Sequence, residues 1–199
     1  SPESRKKYYQ NLFELQENAN YQSLYGKVII SDKFIDNDPQ QDYSQFLALY
    51  YLTPFSLEAP ESLLKTFNPY LYDLWRSDTS LSVEDRNNGK ANFSDLWYQD
   101  RASMLAAANS RNSLDTAWDT KTNTTPQTSD YTDSINGVDV YSLTKVPLPG
   151  TTQRIAFGDE KANTLNGLIW DDRLYGGVGD DTINGIAGHD YLEGGAGKD

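Results

Sequence analysis

The sequence predicts an α+β chain, an α-helical N-terminal region followed by a stacked array of nonapeptide turns. Three observations predict it. The first 109 residues carry apolar side chains at helical spacing between recognisable caps. Glycines at 158, 167, 176, 185 and 194 then recur every nine residues. Five residues after each stands an amide or acid, Asn163, Asp172, Asp181, Asp190 and Asp199, and two beyond the first four of these stands Leu165, Leu174, Ile183 or Leu192. Chance rarely holds three features in one phase.

Taken in order, Ser4 to Asn18 reads as a first helix with Tyr8, Tyr9, Leu12 and Phe13 on one stripe. Lys27 to Ser31 is a short apolar, β-branched run that suits a strand or a buried loop. Asp36, Asp38 and Asp42 stand close together, but no glycine supports a tight metal loop there, and the segment reads as solvated. Asp42 caps a helix to Leu52, on which Tyr43, Phe46, Leu47, Tyr50 and Tyr51 share a face and Leu49 adds a second. Pro60 opens the next helix, with Leu63, Leu64, Phe67, Leu71, Leu74 and Trp75 as its stripe; Pro69 kinks it or restarts it with Asn68 as cap.

Ser82 caps a short turn closed by Gly89. Asn92 or Ser94 starts a helix to about Asn109, with Trp97, Met104, Leu105 and Ala108 on one stripe and Ala102, Ala106 and Ala107 permitting close approach. Asp100 beside Arg101 reads as a solvent-facing ion pair. From Thr116 to Ser134 the composition turns to Thr, Asn, Ser, Asp and Gln, the mark of a linker or long loop. Val138 to Leu143 alternates like a strand, and Arg154 to Phe157 is another that runs directly into Gly158. The domain expectation is a helical domain over 1–115, a polar linker or long loop over 116–134, short strands over 135–157 and the repeats over 158–199, which stop inside a turn.

The chemistry of one turn follows from its residues. Gly176, Gly177 and Gly179 allow a tight bend where a Cβ would clash. Asp181 ends the bend, and Thr182-Ile183-Asn184 is extended, with Ile183 facing away from its neighbours. One turn cannot bury a single apolar side chain; stacked turns can. Carboxylate and carbonyl oxygens suit a hard cation such as calcium.

Gly176-Gly177-Val178-Gly179-Asp180-Asp181-Thr182-Ile183-Asn184 resembles the repeat-in-toxin (RTX) nonapeptide completely. Gly185 to Glu193 departs at Ile186, and Gly194 to Asp199 is a third turn cut off at its aspartate. Gly167 to Tyr175 carries Leu168, Ile169 and Trp170 in its glycine-rich half, and Gly158 to Asn166 has Asn163 for Asp. The resemblance implies a short parallel β-roll of calcium-binding nonapeptide turns, with ligands paired between turns eighteen residues apart: Asp172 with Asp190, Asp181 with Asp199 and Asn163 with Asp181. Carbonyls around Gly176, Gly177, Gly179, Gly185 and Gly188 would complete the shells. The Asp172/Asp190 site is expected to be at least as well occupied as Asp181/Asp199, and Asn163/Asp181 weakest. Asp42 to Leu52 and Asn92 to Leu105 resemble a region that precedes the repeats in large secreted RTX proteins, some with a lipase-like domain further upstream.

Composition bounds the function. Net charge is −12, pI about 4.4, and the chain has no cysteine and no basic stripe, which argues against a nucleic-acid partner. No apolar run reaches membrane-spanning length, and Ser1 to Ser4 is polar with no signal-peptide core behind it, so the chain is expected to be a fragment of a longer protein. The one histidine, His189, has no nucleophile motif beside it, and neither a nucleophile elbow nor a zinc motif occurs. The fragment is therefore expected to be non-enzymatic. By resemblance it is a calcium-binding module of a secreted bacterial protein, extracellular or attached to the cell surface. It would fold on calcium after passing the type I secretion machinery and support an upstream domain. An accessory part of a lipase-like hydrolase and a surface adhesion module are the alternatives.

Overall fold

The computed structural model describes residues 14, 29–31, 38–53, 56–113, 129–135, 137–144 and 152–199. The helix expected over 4–18, Glu14 apart, and the first part of the expected linker, 116–128, lie outside the described residues. The chain divides into two compact units, Ser1–Ser80 with Arg101–Asn123, and Leu81–Asp100 with Thr124–Asp199.

In the first unit, β1 (Ile29–Ser31) pairs antiparallel with β2 (Ser56–Glu58). Helix α1 (Tyr43–Tyr50) starts where the Asp42 carboxylate accepts from the Ser44 N–H at 2.9 Å. All of α1 is buried, as apolar residues on both of its faces require. A short helix, α2 (Glu61–Leu64), follows Pro60, and α3 (Pro69–Asp78) restarts with Asn68 Oδ1 accepting from the Leu71 N–H at 3.0 Å. Leu64, Leu71 and Trp75 are buried, and the Trp75 ring lies 5.0 Å from Tyr43. Leu63 and Phe67, expected on the same stripe, are exposed, Phe67 by 58%. The turn at Lys65–Phe67 breaks the helical phase, so the spacing does not carry across it.

Two further helices are α4 (Val83–Asn87) and α5 (Asp95–Ser113). Arg101 of α5 belongs to the first unit, where its Nε donates to the Leu49 carbonyl at 2.9 Å and its guanidinium also donates to Tyr50 O. These are carbonyls of the last turn of α1, which lack helical partners and favour a cation. Arg101 is thus buried and serves a helix end. Ala102 and Ala106, two of the alanines expected to allow close approach, are exposed.

In the second unit, Ser82 Oγ accepts from the Asp85 N–H at 3.1 Å to cap α4, and Ser94 Oγ accepts from the Trp97 N–H at 3.0 Å to cap α5. The strands are β3 (Ser129–Ile135), β4 (Val138–Thr144), β5 (Thr152–Phe157), β6 (Thr164–Asn166), β7 (Arg173–Val178), β8 (Thr182–Asn184) and β9 (Tyr191–Ala196). β3 forms where a polar linker was expected, because it pairs with β4 across the turn at Gly137, φ +82°. One sheet has the order β3-β4-β5-β7-β9, and β6 and β8 form another. The β5-β7, β7-β9 and β6-β8 pairs are parallel, with Ile155 opposite Arg173, Arg173 opposite Tyr191 and Thr164 opposite Thr182.

This corrects the expected fold class. The fold is mixed α and β, with small open sheets, and the repeats do not make a parallel β-roll. The larger sheet incorporates the antiparallel strands β3 and β4, while the other has only two strands of three residues each. Two short strands cannot wrap a five-stranded sheet, so the sheets neither close nor curl strongly. A thin apolar seam of Ala156, Leu165 and Leu174, flanked by Val138, Val140 and Ile183, holds them. Leu174 is fully buried, whereas Leu192 on edge strand β9 is 49% exposed.

Candidate functional site

A register of eighteen residues sets the position of every repeat acid. The Arg154 N–H donates to Asp172 Oδ1 at 2.7 Å, and the Asn163 N–H to Asp181 Oδ1 at 2.8 Å. The Asp172 N–H donates to Asp190 Oδ1 and the Asp181 N–H to Asp199 Oδ1, both at 2.9 Å. The residues expected in pairs, Asn163 with Asp181, Asp172 with Asp190 and Asp181 with Asp199, are therefore brought together, the amide of one on the carboxylate of the other. Asn163, Asp172 and Asp181 are buried, Asp190 is half-buried and Asp199 is exposed.

Oδ1 of Asn163 and Oδ2 of each aspartate lie beside the first glycine of their own turns. A Cβ on Gly167 would stand 2.6 Å from Asp172 Oδ2 and 2.5 Å from the Gly185 carbonyl oxygen. A Cβ on Gly176 would stand 2.5 Å from Asp181 Oδ2 and nearer still to the Gly194 carbonyl. Glycine at these places lets a carboxylate and a carbonyl from the turn above share one small space. Gly179 and Gly188 instead admit the chain itself: a Cβ there would lie 2.6 Å from the carbonyl carbons of Lys161 and Trp170. Gly177 sits opposite Gly195 in the β7-β9 ladder, and Gly185 is buried beside Asp190.

The turns differ in how the oxygen beside that glycine is satisfied. In the first, Asn163 Oδ1 accepts from the Asp159 N–H at 2.7 Å while Asn163 Nδ2 donates to Asp159 Oδ1 at 3.1 Å. In the second, Asp172 Oδ2 accepts from the Leu168 N–H. In the third, Asp181 Oδ2 is buried with no hydrogen-bond partner. Gly177 stands where Leu168 stands in the turn before, and takes φ +93°, closed to leucine; its N–H does not reach the carboxylate. Burial pushes the Asp181 carboxyl up, and the charges of Asp199, Asp159 and Asp180 add to this against the Asn163 N–H. A buried carboxylate oxygen without a donor is costly unless a cation joins it.

Asp171 and Asp180 form a second ladder that the sequence reading missed. The His189 N–H donates to Asp171 Oδ1 at 2.8 Å and the Lys198 N–H to Asp180 Oδ1 at 3.0 Å. The available signal was the acid directly before each ligand candidate in these two turns. Among the described residues, no three His, Cys, Asp or Glu side chains converge as a metal cluster. At the ligand-candidate position each turn offers one carboxylate or amide.

The family model of the RTX calcium-binding nonapeptide repeat, four copies long, matches residues 157–188 and 171–199. The C-terminal quarter of the chain thus carries RTX-type repeats. Comparison with curated proteins and with solved structures finds no match. Among the described residues, no helix is long and apolar enough to cross a membrane.

A second polar centre lies away from the turns. Asp100 is only 5% exposed; its Oδ2 accepts from the Tyr175 hydroxyl at 2.6 Å and its Oδ1 meets an Arg173 guanidinium nitrogen at 2.8 Å. These partners replace the solvent-facing pair expected with Arg101. Burial raises the Asp100 carboxyl, outweighing the Tyr175 hydrogen bond and the Arg173 charge, which both lower it.

Proposed function

We propose that the repeats bind calcium and that the carboxylate of Asp181 is the principal ligand. Asp172, Asp190, Asp199 and Asn163, with the carbonyls of Gly176, Gly177, Gly179, Gly185 and Gly188, form the remaining donor set. The carrying observation is Asp181 Oδ2, buried, without a donor and set beside the Gly194 carbonyl. The donors are all oxygens, which fits calcium better than zinc or copper. Calcium supplies the positive charge that this space lacks. The chain's own part is to hold Asp181 by the Asn163 amide, to keep the Leu168 type of amide away through Gly177, and to exclude water by burial.

This ranks the turns differently from their spacing alone. Asp172 already has a backbone donor on each oxygen and must give one up, so its site is the weaker. The wider role in this reading is a non-enzymatic module of a secreted bacterial protein. It stays open in a low-calcium cytosol, passes a type I export channel, and folds outside in support of an upstream domain. The acidic excess of the repeats supports this, because the carboxylates repel one another until calcium binds.

Titration calorimetry with calcium tests the assignment. Affinity is expected at roughly 10⁻⁶ to 10⁻³ M, the span between sensor and extracellular sites. Asp181→Ala should remove the tightest site, while Asp172→Ala leaves it in place. Unchanged calcium binding by Asp181→Ala would overturn the ligand assignment.

A further inference from the structure

Asp100, Tyr175 and Arg173 are not accounted for by calcium binding, and their placement points to a coupling device. Tyr175 and Arg173 lie on β7, between the candidate ligand Asp172 and the turn that begins at Gly176. Tyr175 directs its ring out of the apolar seam and stacks on Phe157 at 5.1 Å with planes 9° apart. Phe157 in turn meets the Trp97 ring edge-on at 6.3 Å. Phe157 and Tyr175 are opposite each other in the parallel register, so this aromatic row exists only when the eighteen-residue register is formed. The start of α5 lies along the row. Asp100 closes it at one point, and at another the Ser94 N–H donates to Glu193 Oε1 at 3.3 Å, a residue of β9. The segment Leu81–Asp100 belongs to the same compact unit as the repeats, although some sixty residues of chain separate them.

We infer that the Asp100 contact with Tyr175 and Arg173 makes the first turns of α5 a calcium-dependent element, seated only when the repeat strands register. The inference rests on the calcium reading above. Its physical basis is that a buried carboxylate needs both partners, and β7 presents them together only as an ordered strand. Without that strand, Asp100 is buried unpaired or the helix start must swing into water. Linkage is reciprocal: if registering the repeats seats the helix, seating the helix tightens calcium binding. Asp100 is thus a positioning residue for the repeats, although it touches no candidate ligand.

Hydrogen exchange on the 199-residue chain, with and without calcium, tests this. Calcium is expected to protect amides of the repeats and of 95–100 in one transition. In Asp100→Ala, and in Tyr175→Phe, which keeps the ring stack, calcium should still protect the repeats, with a midpoint raised roughly tenfold, while 95–100 stays unprotected. Protection of the repeats with no change at 95–100, or an unshifted midpoint in Tyr175→Phe, overturns the coupling and leaves the calcium reading standing. No protection anywhere on adding calcium overturns both.

Discussion

Single residues decide which turn leaves a carboxylate oxygen without a donor. Gly177 and Leu168 occupy one position of successive turns, yet Leu168 closes its carboxylate with an amide and Gly177 does not. Ile186 occupies the same position in the next turn and is held at φ +73°, a region that a β-branched residue enters only under strain. Positive φ at a non-glycine residue costs on the order of 1–3 kcal/mol, so Ile186→Gly should stabilise the repeats by about 1 kcal/mol after the added backbone entropy of glycine. Because Ile186 is exposed, no packing is lost. Urea unfolding at saturating calcium measures the gain, and a loss of stability would show that Ile186 makes contacts which outweigh the strain.

Elements are set by caps at their ends and by partners along their sides. Asp42 holds the start of α1, and Asp42→Ala should lower the stability of the first unit by about 1 kcal/mol, measured as an earlier denaturant midpoint. Asp100 governs the start of α5 differently. Removing it strands the buried Tyr175 hydroxyl and the Arg173 charge, and Asp100→Ala should cost about 2 kcal/mol. The pH dependence has a definite sign. The folded state raises the Asp100 carboxyl, so it favours the protonated form. That contribution is fully present below the unfolded carboxylate range and is lost as pH rises through the raised folded value. The stability difference between wild type and Asp100→Ala should therefore grow on acidification from neutral pH and level off below the ordinary carboxylate range. A difference that shrinks on acidification would mean that Arg173 outweighs burial.

At the scale of the molecule, the proposed calcium sites fall in one of two units. Candidate ligands all lie in the unit formed by Leu81–Asp100 and Thr124–Asp199. A ligand at 100 times its dissociation constant adds about 2.7 kcal/mol per site to the folded state, so calcium should raise the unfolding midpoint of that unit and a chelator should reverse it. Calorimetric scans with calcium and with chelator check this. A transition assigned to the repeats that does not move with calcium would remove the basis for the module reading.

Local order was largely legible in the sequence. Asp42, Asn68, Ser82 and Ser94 announce their helices because a cap needs only an oxygen and an amide two or three residues on. The nine-residue phase announces the acids and the glycines, because a repeat writes its geometry into every copy, whereas the eighteen-residue pairing was expected only from the resemblance to the RTX nonapeptide. Other features depended on contacts that no local pattern encodes. The expected roll gave way to open sheets because β3 and β4 join the repeat strands, and Phe67 left its stripe when a turn broke the helical phase. Asp100 looked like a surface acid until Tyr175, 75 residues away, buried it. Asp172 and Asp181 are the same residue at the same place in the repeat, yet the tertiary structure distinguishes them. Whether a carboxylate oxygen is satisfied depends on which amide the fold brings to it and how much water the fold removes, and neither is a property of the residue itself.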